Sequence, residues 1–190
     1  MFKEHHITAL TDWSNHEECM NSPFKTVFLL NGTMLDLPER VFLLQQKNKE
    51  VYLHVDLISG VQAQSIEGMT YIAEVIQPDG IISTKTQAIN HAKKLGLKTV
   101  QRIFLIDSHA LNKSIEACLK TKPDAVEAMP ALMPRVIKEL KENLPFPIVA
   151  GGLIRDQAEV DAALAVGASA VSGSYTYVFY KKAGDDHEKR

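Results

Sequence analysis

A short apolar run followed by an amphipathic helix recurs every 20–25 residues along almost the whole chain. Strands that alternate strictly with helices run parallel, joined by right-handed crossovers with the helices outside, so the pattern restricts the chain to an α/β architecture. The runs fall at residues 7–10, 26–30, 51–58, 80–83, 98–105, 125–129, 146–150 and 169–173. Between them, apolar residues at helical spacing mark one buried face per helix: Leu37, Val41 and Leu44 in one, Ala88, Ile89, Ala92 and Leu95 in another. Pro78, Pro123 and Pro145 stop helices, and Gly96 and Gly167 stand where a C′ glycine is expected. Asp36 with Glu39, and Asp156 with Glu159, have capping-box spacing. Pro78-Asp79-Gly80-Ile81-Ile82 is echoed by Pro123-Asp124-Ala125-Val126-Glu127, each where a helix gives way to a strand.

Counting residues 7–10 as a strand gives eight units. The predicted fold is a single (β/α)8 TIM-type barrel domain over residues 1–190, with short loops because 190 residues is small for that fold. An open doubly wound sheet is the alternative. The barrel is preferred because paired glycine turns end the last two strands. Residues 175–181 are read as a short last helix and the charged residues 185–190 as a frayed tail.

Composition excludes some function classes. With 45% hydrophobic and 23% charged residues, no apolar run long enough to span a bilayer and no signal-like N-terminus, the expectation is a soluble cytoplasmic protein with no membrane partner. Cys19 and Cys118 form no metal or redox spacing. A net charge of −2 is no bulk nucleic-acid signature, so any RNA contact must come from a local patch or an assembly. Lysines gather on the helices between strands four and seven, among them Lys93, Lys94, Lys113 and Lys120. Their ordinary role is a solvated face; the alternative is an RNA patch.

The chemistry gathers at the glycine turns. Residues 146–156, Phe-Pro-Ile-Val-Ala-Gly-Gly-Leu-Ile-Arg-Asp, run from a buried strand through Gly151 and Gly152 toward a helix. Ser172-Gly173-Ser174 repeats the turn one unit later. Glycine admits positive φ and lets a ligand approach main-chain N–H groups without meeting a Cβ. In this fold the loops after strands seven and eight commonly form a phosphate site. The N–H groups of Gly152, Leu153, Gly173 and Ser174, with the positive end of the following helix, suffice for a phosphate; otherwise the glycines serve only close packing. His54 and Asp56, two apart on one strand, would share a face. They would bind the hydroxyls of a small polyol phosphate, act as acid and base, or form a structural pair; a metal pair lacks a third ligand. Arg102 and Glu127 form an ion pair across neighbouring strands, or Arg102 reaches the ligand. Ser83 and Lys85 stand at the end of strand four, Lys85 being solvated or phosphate-facing. Asp107 caps the next helix.

His54-Val55-Asp56-Leu57-Ile58, Pro78-Asp79-Gly80-Ile81-Ile82-Ser83-Thr84, Gln101-Arg102-Ile103-Phe104-Leu105-Ile106-Asp107, Ser114-Ile115-Glu116, Lys122-Pro123-Asp124 and Ala150-Gly151-Gly152-Leu153-Ile154 occur in this order across residues 50–175. Together they resemble the glycerol uptake operon antiterminator regulatory protein family. The resemblance implies a barrel-like bacterial cytoplasmic regulator with no assigned catalytic residue and no cofactor. It would bind glycerol 3-phosphate as effector, then act on the leader mRNA of glycerol-utilisation genes to prevent premature transcription termination. It also implies that Gly151, Gly152, Gly173 and Ser174 hold the phosphate and that His54, Asp56, Arg102 and Glu127 line the polyol end. Two other readings stand beside it: a barrel enzyme (isomerase, aldolase or synthase) on a small phosphorylated metabolite, and a module for a phosphate-bearing group such as flavin mononucleotide. A homo-oligomer is compatible with the sequence.

Overall fold

The computed structural model of the chain describes residues 2 and 4–174. Its strands are β1 (His6–Leu10), β2 (Thr26–Leu29), β3 (Gly32–Thr33), β4 (Glu50–His54), β5 (Ile58–Ser59), β6 (Gly80–Ser83), β7 (Lys98–Phe104), β8 (Ala125–Met129), β9 (Ile148–Gly151) and β10 (Ala170–Gly173). The helices are α1 (His16–Asn21), α2 (Leu37–Gln46), α3 (Ile66–Tyr71), α4 (Thr86–Lys94), α5 (Ser108–Thr121), α6 (Pro134–Asn143) and α7 (Gln157–Ala165). Eight strands close a parallel barrel in the order β1-β10-β9-β8-β7-β6-β4-β2, which is the predicted (β/α)8 fold. The expected helix at 175–181 and the tail at 185–190 lie outside the described residues.

Strand alternation divides the core into two layers. Ile7, Ala9, Phe28, Tyr52, Ile82, Val100, Ala125, Val149 and Ala170 fill the barrel interior. Their neighbours, such as Leu53, Ile81, Val126, Ala150 and Val171, pack outward against the helices. At the N-terminal end of the strands Phe2 packs on Phe28 and Tyr52, with ring centroids 6.2 and 5.7 Å away. A two-residue step from each interior residue toward the C-terminal end places His54, Arg102, Glu127, Gly151 and Ser172 in one polar layer above the apolar one. Three of the five carry charge or an imidazole, and all but Gly151 are polar, so this end of the barrel must be satisfied by bonds among themselves or by a ligand.

The repeated Pro-Asp string has a structural job. Asp79 accepts from the Val51 N–H at 2.8 Å and Asp124 from the Thr99 N–H at 2.8 Å. Each aspartate thus ties the foot of its own strand to the strand before it. Helix ends follow the sequence signals in part. Asp107 accepts from the Ala110 N–H, Asp156 from the Glu159 N–H, and Gly96 and Gly167 stand at positive φ just past α4 and α7.

Three local expectations are corrected. The Asp36 side chain does not cap α2; it accepts from the Thr33 N–H and pairs with Arg40 at 2.9 Å. The strand expected over residues 51–58 ends at His54, and Val55–Leu57 forms a 3-10 turn, so His54 and Asp56 do not share a strand face. Ile58 and Ser59 instead pair with Gly32 and Thr33 in a small second sheet.

Candidate functional site

A pocket of about 170 Å³ opens at the C-terminal ends of the strands. It draws Arg102 from β7, Glu127 and Met129 from β8, Gly152 and Leu153 after β9, and Ser172, Gly173 and Ser174 at the end of β10; Ala9, Thr11 and Leu30 complete the wall from the first two units. The two glycine turns therefore face one space, as adjacent parallel strands require.

The turn after β9 has an unusual backbone. Gly152 stands at φ +82° and Leu153 at φ +65°. The second is a left-handed conformation that costs a residue with a Cβ roughly 1–2 kcal/mol. Leu153 is 63% exposed, so no apolar burial of its side chain explains the cost. Among the described residues the N–H groups of Gly152 and Leu153 meet no acceptor, nor does that of Ser174. Backbone strain of this kind clusters at ligand clamps and active sites, and here it stands beside unused donors. A Cβ on Gly152 would come within 2.7 Å of Met129 Cε, a pocket wall. Gly151 answers a different need: a Cβ there would strike Ser172 Oγ at 2.5 Å and Glu127 Oε1 at 2.7 Å. It gives room to the buried polar layer and does not itself line the pocket.

That layer is an ordered triad. Arg102 Nε donates to Glu127 Oε2 at 2.6 Å, and Ser172 Oγ donates to Glu127 Oε1 at 2.7 Å. Arg102 is 8% exposed and Glu127 1%. Both carboxylate oxygens are thus engaged. The terminal guanidinium nitrogens of Arg102 donate to no described residue, and the side chain lines the pocket. A buried guanidinium fixed at Nε by a carboxylate, in a side chain that lines the pocket, can donate its remaining N–H groups to an anion.

The other expected site residues lie outside this lining. His54 belongs to the same buried layer but is not among the residues that line the pocket, and its Nδ1 has no hydrogen-bond partner among the described residues. Burial, then the charge of Arg102, depresses its pKa to about 4 against the opposing pull of Asp56, so the ring is neutral near pH 7. Asp56 accepts from the Ser83 hydroxyl and from the Thr84 N–H and hydroxyl, both at 2.7 Å. Burial alone would raise its carboxyl; these bonds and His54 outweigh that and hold it below the usual range. Asp56 and Ser83 are therefore committed to each other at the entry to α4, Ser83 on the outer side of β6. Lys85 is exposed beside a separate cavity with Asp56, Val61 and Gln62. Sequence reasoning did not single out Met129, Ala9, Thr11 or Leu30 as wall residues. Their only signal is position at the end of a strand.

The helix end expected to help hold a phosphate is already occupied. Asp156 caps α7, and Glu159 accepts from the Arg155 N–H at 2.6 Å. Donors to an anion must come from the turns and Arg102. Among the described residues no group of three His, Cys, Asp or Glu side chains could hold a metal ion, and no helix is long and apolar enough to cross a membrane. Burial raises the thiol pKa of Cys19 to about 11 and of Cys118 to about 12, which leaves both as inert core residues.

Comparison with known proteins follows the same lines. The family model described as glycerol-3-phosphate responsive antiterminator matches residues 6–179, extending the 50–175 over which the motifs carry the resemblance. The crystal structure of a glycerol uptake operon antiterminator regulatory protein from Listeria monocytogenes is similar with TM-score 0.90 and 30% identity, covering 95% of this chain and 97% of that one. That of a glycerol uptake operon antiterminator-related protein from Thermotoga maritima gives 0.83 and 28%, covering 94% and 99%. The uncharacterized protein YgcP of Escherichia coli is 27% identical over 173 residues, 91% of this chain and 90% of that protein.

Proposed function

The chain belongs to the glycerol-3-phosphate responsive antiterminator family, and from that premise we propose that it is a glycerol 3-phosphate-dependent antiterminator acting on leader mRNA. The effector's phosphate sits in the turns of Gly152–Leu153 and Gly173–Ser174, and Arg102 faces it across the pocket. The single observation that carries this reading is the convergence of three unused main-chain donors and a tethered, buried guanidinium on one small space. A dianion gains charge-assisted bonds there that glycerol alone does not.

The groups on the wall favour binding over proton transfer. Glu127 has both oxygens engaged, and His54 does not line the pocket. With the phosphate held, the protein binds the untranslated leader of glycerol-utilisation transcripts and keeps the terminator from forming. By linkage, the effector strengthens RNA binding and RNA strengthens effector binding by the same factor.

The test is fluorescence anisotropy with a labelled leader transcript, titrated with and without glycerol 3-phosphate, beside an unrelated transcript of equal length. Tighter, effector-dependent binding to the leader is expected. Equal binding to both transcripts at saturating effector contradicts the reading. Steady turnover of a triose or pentose phosphate would point to an enzyme.

A further inference from the structure

The net charge of −2 conceals a strong separation of charge. Helices α1 and α7 and the helical stretch 66–76 carry Glu17, Glu18, Glu67, Glu74, Glu159 and Asp161, and no lysine or arginine. Neighbouring α4 and α5 carry Lys93, Lys94, Lys113 and Lys120 against a single carboxylate, Glu116. Helices α2 and α6 bear both signs. Because β6 and β7 are adjacent in the barrel, α4 and α5 lie side by side and present one basic face.

The lysines on this face are not consumed by structure, with one exception. Lys93 Nζ donates to the Thr121 and Lys122 carbonyls, pinning the end of α4 to the end of α5. Lys94, Lys113, Lys120 and Lys122 are exposed, and none reaches a carboxylate among the described residues. Lys113 and Lys120 are two turns apart on one stripe of α5, about 10 Å along the axis. They stand at a groove of about 430 Å³ between the helices, lined by Thr86 and Asn90 of α4 and, beside the two lysines on α5, by Glu116, Ala117 and Thr121. Two ammonium groups outnumber the one carboxylate, Glu116, along this groove, and the hydroxyls of Thr86 and Thr121 and the amide of Asn90 add polar partners. This lining suits a ribose-phosphate strand: the ammonium groups meet phosphates, and the polar groups can bond 2′-hydroxyls.

We infer that the α4–α5 groove is the RNA-binding surface. The inference rests on the antiterminator reading above and adds the place of contact. The acidic remainder of the molecule repels a polyanion, so the basic face also orients the encounter. This face belongs to the β6–α4 and β7–α5 units; the second contributes Arg102 to the effector pocket, and Asp56 clamps the entry to α4.

The experiment compares wild type with Lys113→Glu/Lys120→Glu on the groove and Lys138→Glu/Lys141→Glu on mixed-charge α6. Each is titrated with labelled leader transcript at saturating glycerol 3-phosphate over a range of salt. Effector binding by calorimetry, expected to be unchanged in both, reports that the fold is intact. The groove variant is expected to bind the leader at least about tenfold more weakly, with a log K against log salt slope shallower by roughly 0.7–0.9 per lost phosphate contact. The α6 variant should change affinity less than about twofold. A wild-type protein that binds the leader while the groove variant binds it equally well, or while both variants weaken alike, overturns the placement. A wild type that does not prefer the leader overturns the antiterminator reading, and this surface with it.

Discussion

Gly152→Ala separates a glycine kept for folding from one kept for a ligand. Gly152 stands at φ +82°, and Gly96, at the end of α4, at φ +78°. An alanine at either position meets the same left-handed penalty, about 1–2 kcal/mol. Their surroundings differ. A Cβ at Gly96 finds nothing within 4 Å, whereas at Gly152 it meets only Met129 Cε, the free end of a flexible chain that can swing aside. Both variants should therefore lose similar stability, a fall in melting temperature of a few degrees for a domain of this size. The added methyl at Gly152 also occupies the approach to two unused N–H groups. Loss of one charge-assisted bond is worth about 1.5–3 kcal/mol, or roughly a 10- to 150-fold weaker affinity. Calorimetric titration of glycerol 3-phosphate reads this directly, and Gly96→Ala should bind as wild type does. Gly152→Ala with undiminished affinity, or Gly96→Ala with an equal loss, would refute the cradle.

Further outcomes follow from the polar layer. Arg102→Leu leaves Glu127, 1% exposed, without its cation; it should destabilise by about 3–5 kcal/mol. Arg102→Leu/Glu127→Leu should recover much of that stability in chemical denaturation, while effector binding stays lost in both. His54 is held neutral, its pKa lowered from 6.5 to about 4 by burial and Arg102. Between those values the unfolded chain takes up a proton that the folded chain refuses, so stability is full above pH 6.5 and falls as pH drops toward 4, by an amount of order 3 kcal/mol. Denaturant midpoints at pH 7 and pH 5 should differ less in His54→Leu than in wild type; an equal difference removes His54 as the cause.

The barrel was legible because each unit carries its own punctuation. Pro78 and Pro123 end helices, and Asp79 and Asp124 open the next strands with bonds that make the sequence echo a structural repeat. The paired turns were legible for the same reason: two glycines at the ends of adjacent parallel strands have to meet. Side-chain direction was harder to read. Val55, Leu57 and Ile58 continue the apolar pattern of β4, yet the backbone turns at His54, and the turn sends Asp56 to Ser83 and Thr84. In a parallel barrel both strand faces are buried, so hydrophobicity does not tell Ser83, on the outer face, from Arg102, on the inner one. The role of Gly151 depends on Glu127 and Ser172, which are distant in sequence and touch only after the barrel closes.

The most direct measurement is a titration of glycerol 3-phosphate followed by amide resonances of the isotopically labelled protein. The N–H signals of Gly152, Leu153 and Ser174 should shift together and saturably, as charge-assisted bonds form to the phosphate, and glycerol alone should leave them in place. Saturable binding that moves other amides and leaves these three unmoved would contradict the effector pocket.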